Sequence, residues 1–188
     1  GYSSDLDDVL FDNPYLLSVW AAGNERNYGF QNVAGDNTYV SYFSRDVGIP
    51  NWHKEGWYRL PNAGSTLAPK NESENAYDLL TPYQTAKNTL VVGAIHDITQ
   101  DPVGASDAQI SSFSSYGMTD DGRLKVDVVA NGVSLNSAIS TGDDQYAEWD
   151  GTSMAAPNAT GTAALLTQYY RDVYGETPLS STLKGTII

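Results

Sequence analysis

The sequence predicts an α/β fold in three layers, αβα, with a mainly parallel sheet in the middle. Three observations predict it. Residues 15–22, 89–95 and 124–130 are short runs dominated by apolar, often β-branched side chains. Their lengths suit strands, and their near-continuous hydrophobicity suits strands buried on both faces, as in a parallel sheet. Helical patterns alternate with these runs, and the last of them, 154–174, is long. Such alternation argues helices layered on a sheet.

The elements follow in order. Residues 4–12 read as a helix: Ser4 is placed to cap it, Asp7 stands three residues on, and Leu6, Val9 and Leu10 share a face. Asn13-Pro14 ends it. The first strand run, 15–22, closes on Gly23-Asn24. Residues 25–75 differ from the rest. They are polar and glycine-containing, with Tyr28, Phe30, Tyr39, Tyr42, Phe43, Trp52, Trp57 and Tyr58 interspersed. A stretch this long without period is an elaborated functional loop or a small subdomain, and 37–43 reads as a short strand within it. Thr81-Pro82-Tyr83-Gln84 carries a capping box with proline at the first helical position, which predicts a short helix over 81–88. After the strand runs 89–95 and 124–130, the helix 154–174 ends at Gly175. Its alanines and Gly161 make it thin enough to cross a core. Leu183, Ile187 and Ile188 read as an uncapped helix, as if cut short.

Composition bounds the function. At 188 residues, 40% hydrophobic and 18% charged, the chain has enough material for one globular core. A net charge of −13 disfavours nucleic acid and anionic membranes as partners. No run is long enough to span a membrane, and residues 1–12 lack the basic start of a signal peptide. With no cysteine, thiolate metal sites and cysteine nucleophiles are excluded. Asp5, Asp7, Asp8 and Asp12 lack the spacing and glycine of an EF-hand loop and read as a solvated helix face. Asn71 and Asn158 fit the glycosylation pattern, but Asn158 falls on the core helix, and both matches read as chance.

The chemistry concentrates at residues 151–157, Gly-Thr-Ser-Met-Ala-Ala-Pro. Ser153 stands at a helix start among small residues. The unpaired N–H groups and partial positive charge of a helix N-terminus suit an oxyanion beside that hydroxyl. A second signal, Ala21-Ala22-Gly23-Asn24, puts a carboxamide beyond a strand end, where α/β sheets bind ligands. The two strings together resemble the nucleophile and oxyanion motifs of the subtilisin-like serine peptidases, the subtilases. The resemblance covers most of 4–188 apart from the aromatic insert. It implies Ser153 as nucleophile and Asn24 as oxyanion donor. Asn131 and Asn158 replace the family's usual proline and histidine at positions that do no chemistry.

A subtilase triad runs Asp, His, Ser along the chain, and its first two members precede the oxyanion Asn. Only 23 residues precede Asn24, and they hold neither an Asp-Thr-Gly nor a His-Gly-Thr. The histidines, His53 and His96, both follow Asn24 and read as ordinary loop residues. Residues 1–188 are thus expected to be a partial subtilase catalytic domain, incomplete on its N-terminal side, with an insert at about 25–75. The intact protein is expected to be a secreted serine endopeptidase acting on polypeptide, with Asp and His from the N-terminal remainder of the domain. The isolated chain should be inactive and prone to self-association. No cofactor is needed for catalysis, and the resemblance leaves room for a structural calcium ion held by the insert or by backbone carbonyls. The alternatives are a non-catalytic binding module on the same fold, favoured by the aromatic insert, and an α/β-hydrolase, disfavoured because Gly-x-Ser-x-Gly is absent.

Overall fold

The computed structural model describes residues 1–26, 31–33, 37–43, 55–59, 80–99, 101, 104–119 and 121–188. The chain forms two compact units, Gly1–Arg26 with Tyr77–Ile188, and Asn27–Ala76. In the first unit, helix α1 (Tyr2–Asp12) leads to strand β1 (Val19–Ala21). The second unit holds an antiparallel meander of β2 (Gln31–Val33), β3 (Asn37–Phe43) and β4 (Glu55–Arg59), and β3 spans the strand read from the sequence. Back in the first unit come β5 (Leu90–Ile95), β6 (Gly117–Met118), β7 (Leu124–Lys125), β8 (Val128–Asn131), β9 (Leu135–Ala138) and β10 (Tyr146–Trp149). Helices α2 (Thr152–Tyr174) and α3 (Ser180–Ile187) close the order.

Strands β1, β5 and β8 form a parallel sheet with β5 in the centre. All six residues of β5 are buried, as its apolar run requires. Alternate side chains leave opposite faces. Leu90, Val92 and Ala94 meet Ala155, Ala156 and Ala159 of α2 to make the core, with Val19, Ala21, Val128 and Ala130 packed around them. Alanines on that face of α2 let the helix approach the sheet closely. On the other face Ser114 covers Gly93, and its hydroxyl accepts the Ala94 N–H at 3.0 Å. The α/β prediction holds.

Several element boundaries differ from the sequence reading, each for a specific reason. The run 15–22 yields only a three-residue strand, because the Leu16 N–H closes a turn on Asn13 at 2.9 Å and leaves Tyr15 and Leu16 exposed. The predicted helix at 81–88 is a single turn. Gln84 takes the Thr81 N–H as a capping box should, but its amide donates to the Ala21 carbonyl, and the chain turns into the sheet instead of propagating. The run 124–130 divides: Leu124–Lys125 pairs back on β6 and Val128–Asn131 joins the sheet. Helix α1 begins at Tyr2, capped by Gly1 and not by Ser4. Asp7 instead accepts the N–H groups of Lys87 and Asn88 at 2.8 and 2.7 Å, tying α1 to the approach to β5. Beside β7, the Arg123 guanidinium and the Thr119 hydroxyl hold the Asp121 carboxyl down to about 2.

Candidate active site

Parallel strands bring their C-terminal ends to one edge, and the sequence places Asn24, His96 and Gly132 just beyond the three strands there. Helix α2 begins at the same edge. The Gly151 N–H donates to the Gly132 carbonyl at 2.8 Å, which fixes the helix start against the end of β8. Asn24 meets that start directly. Its side-chain oxygen accepts two hydrogen bonds from Thr152, one from the backbone N–H at 2.9 Å and one from the hydroxyl at 3.0 Å. The Thr152 hydroxyl in turn accepts the Gly23 N–H at 3.0 Å. Thr152 is buried, with 1% of its surface exposed, so these bonds are shielded from competing water.

The consequence is an oriented carboxamide. With Oδ1 committed to Thr152, Nδ2 is left without a hydrogen-bond partner among the described residues. It lies beside Gly151, 3.3 Å from where a side chain on that glycine would start. Gly151 has φ of +154°, a region that favours glycine. Ser153 is exposed, and its hydroxyl makes no hydrogen bond among the described residues. Its backbone N–H, in the first helical turn, likewise has no protein acceptor. The edge therefore presents an open hydroxyl, an unpaired N–H at a helix N-terminus and a carboxamide donor held by the neighbouring residue. That set fits attack on a carbonyl with capture of the oxygen that becomes negative.

The loop after Asn24 is also pinned. Glu25 donates its N–H to the Ser115 hydroxyl and accepts that hydroxyl's proton on Oε2, both at 3.0 Å. The Ser115 N–H donates to the Gly23 carbonyl at 2.9 Å. Arg26 lies over the Tyr116 ring at 4.8 Å. His96 is exposed just past β5, its backbone N–H bonded to Gln109. His53 lies outside the described residues. Among the described residues no group of three or more His, Cys, Asp or Glu is placed to hold a metal, and no helix is long and apolar enough to cross a membrane.

The sequence singles out Ser153 and Asn24, which the fold brings to one edge, but gives no role to Thr152, Gly132 or Ser115. Thr152 lies inside the 151–157 motif, and its burial is the signal that the sequence lacks. Gly132 is required by space: a Cβ there would sit 2.6 Å from the Ala94 Cβ and 2.7 Å from the Gly151 carbonyl. Gly132→Ala should cost about 1–3 kcal/mol of stability, as overpacking does, read by chemical denaturation of the intact domain. A cost below roughly 0.5 kcal/mol, that of an ordinary surface change, would show that the strand end and helix start give way.

Comparison with known proteins defines the class. Residues 3–188 match the subtilase family. The chain belongs to that family of serine peptidases. It is 38% identical over 75% of its length to a C5a peptidase of Streptococcus pyogenes, covering 11% of that protein. It is 37% identical over its whole length to the serine protease/ABC transporter B family protein tagB of Dictyostelium discoideum, covering 12% of it. The related tagD protein of the same organism is 29% identical, again over the whole chain and 13% of that protein. The chain thus spans about an eighth of these relatives. Among solved structures, the prenylagaramide maturation protease PagA matches 95% of this chain and 40% of its own at 18% identity and a TM-score of 0.50. The PatG macrocyclase with peptide matches 95% of this chain and 34% of its own at 20% identity and 0.50. These two establish the fold.

Proposed function

We propose that the intact protein is a serine endopeptidase in which Ser153 is the nucleophile and Asn24 an oxyanion donor. The Ser153 oxygen attacks a peptide carbonyl while a histidine base takes its proton. The carbonyl oxygen becomes negative and is held by the Asn24 amide and the Ser153 N–H. Collapse expels the amine, protonated by the same histidine, and leaves an acyl-enzyme that water hydrolyses by the reverse sequence. The histidine and the aspartate that orients it lie outside residues 1–188. The observation that carries the reading is the double hydrogen bond from Thr152 that commits Asn24 Oδ1 and frees Nδ2.

The remainder of the catalytic domain is then a partner as well as the source of the base. Leu165, Tyr169 and Val173 form one i, i+4 row along α2 and are 69%, 66% and 52% exposed. A row of that kind suits a covering layer. The outer edges of β1 and β8, unpaired among the described residues, suit further strands. Residues 1–188 alone are therefore inactive and self-associate, and the intact protein works outside the cell on polypeptide substrates. A fluorophosphonate probe on the intact protein should modify Ser153 and no other serine. Labelling of a different serine in an active preparation refutes the assignment. A folded, intact protein that takes no label is the non-catalytic module instead.

A further inference from the structure

The opposite edge of the sheet holds a cluster that the peptide chemistry does not use. The Lys125 ammonium, 3% exposed, donates to the Thr89 carbonyl at 2.9 Å and to Asp127 Oδ2 at 2.7 Å. The Lys184 ammonium, on α3, donates to the same Thr89 carbonyl at 2.7 Å and to the Lys87 carbonyl at 3.2 Å. It also lies 3.2 Å from Asp127 Oδ1. The Val91 N–H completes the Asp127 carboxylate at 2.7 Å.

Two ammoniums share one carboxylate here, so the cluster carries a net positive charge inside the protein. An ammonium repelled by its neighbour and stripped of water is costly to bury, and burial accordingly lowers the Lys125 pKa. What offsets the cost is a convergent set of oxygens: two backbone carbonyls and both carboxylate oxygens. All-oxygen sets of this kind hold hard cations such as calcium. Calcium requires oxygens at 2.3–2.6 Å with nothing between. Here the Thr89 carbonyl already accepts both ammoniums. The carbonyl-bound calcium that the family resemblance allows does not fit at this place.

We propose that the oxygens of Thr89, Lys87 and Asp127 form a cation site filled by the protein's own Lys125 and Lys184 ammoniums, so that this part of the domain needs no metal ion. The site fastens α3 to the entry of β5 and β8. Removing the Lys184 ammonium, the more exposed of the two at 18%, vacates the Lys87 carbonyl, half of the Thr89 carbonyl and Asp127 Oδ1 for a soluble cation.

The test compares thermal unfolding of the intact wild type and Lys184→Ala in chelator, then in millimolar calcium and in potassium. In chelator the variant should melt lower by about 10 °C, the scale for breaking a buried ion cluster in a domain of this size. Added cation should close much of that gap, because it fills a site the wild type fills with Lys184. Comparing the gap, not the absolute melting point, removes any cation bound elsewhere. Lys184→Met, which refills the space with an apolar stem, should show no closing of its gap. A Lys184→Ala gap unchanged by either cation overturns the proposal and leaves the lysines as tethers. Should Lys184→Ala not fold in chelator, refolding from denaturant is run with and without the cations. Recovery only with cation supports the site, and no recovery with either overturns it.

Discussion

Replacing Ser153 by alanine in the intact protein should lower kcat by about 10⁶, the loss known for the nucleophile of subtilisin, itself a member of this family. The size follows from what is removed. Without the hydroxyl no acyl-enzyme forms, and an adjacent histidine has no proton to take. What survives is substrate binding and the oxyanion donors, worth about 10³–10⁴ over water in a triadless subtilase. The fold should not suffer. Ser153 is exposed and its hydroxyl holds nothing among the described residues, so the melting point should stay within the range of a neutral surface change. The pairing of lost turnover with an unchanged melting point separates a catalytic role from a packing role. A variant that keeps most of its turnover, or one that loses turnover only by unfolding, removes Ser153 from the mechanism.

What could be read from the sequence depended on whether a signal was local. Strand β5 was legible because every one of its residues is buried, and such a run has few other uses in a globular chain. Helix α2 was legible because its core alanines recur at helical spacing. At residues 81–88 a correct local signal gave a wrong element. The Gln84 half of the capping box forms, but the Gln84 amide finds the Ala21 carbonyl 63 positions away, a partner no local pattern contains. The division of 124–130 has a nearer cause, since Leu124–Lys125 turns back on β6 just upstream and leaves the sheet to Val128–Asn131.

The site divides in the same way. Ser153 and Asn24 sit in short strings whose residue types are those the chemistry needs. The bonds that orient Asn24 come from Thr152, 128 positions later. A threonine in a motif of small residues looks like filler until its burial is known. The Lys125, Asp127 and Lys184 cluster gave no signal at all, because scattered charges in a sequence normally mark a solvated surface.

Asn24→Ala should lower kcat by about 10²–10³, some 2.7–4 kcal/mol, the figure established for this type of donor in subtilisin. KM should move little, since the bond is made chiefly in the transition state. Asn24→Asp makes the sharper test. It keeps an oxygen for both Thr152 donors, so the local fold survives, yet it replaces the Nδ2 donor with an acceptor of like charge to the oxyanion. Its kcat should fall at least as far as that of Asn24→Ala. Thr152→Val then separates orientation from donation. It removes the hydroxyl from Asn24 and leaves the Gly23 N–H without its acceptor, while the Thr152 backbone N–H still holds the carboxamide. Asn24 itself loses one of its two hydrogen bonds from Thr152, so kcat should fall about 2- to 10-fold, the scale of a single net hydrogen bond. In an Asn24→Ala background the same change should cost kcat nothing more, because the group it orients is gone. Equal losses in both backgrounds would mean that Thr152 acts on the reaction without passing through Asn24.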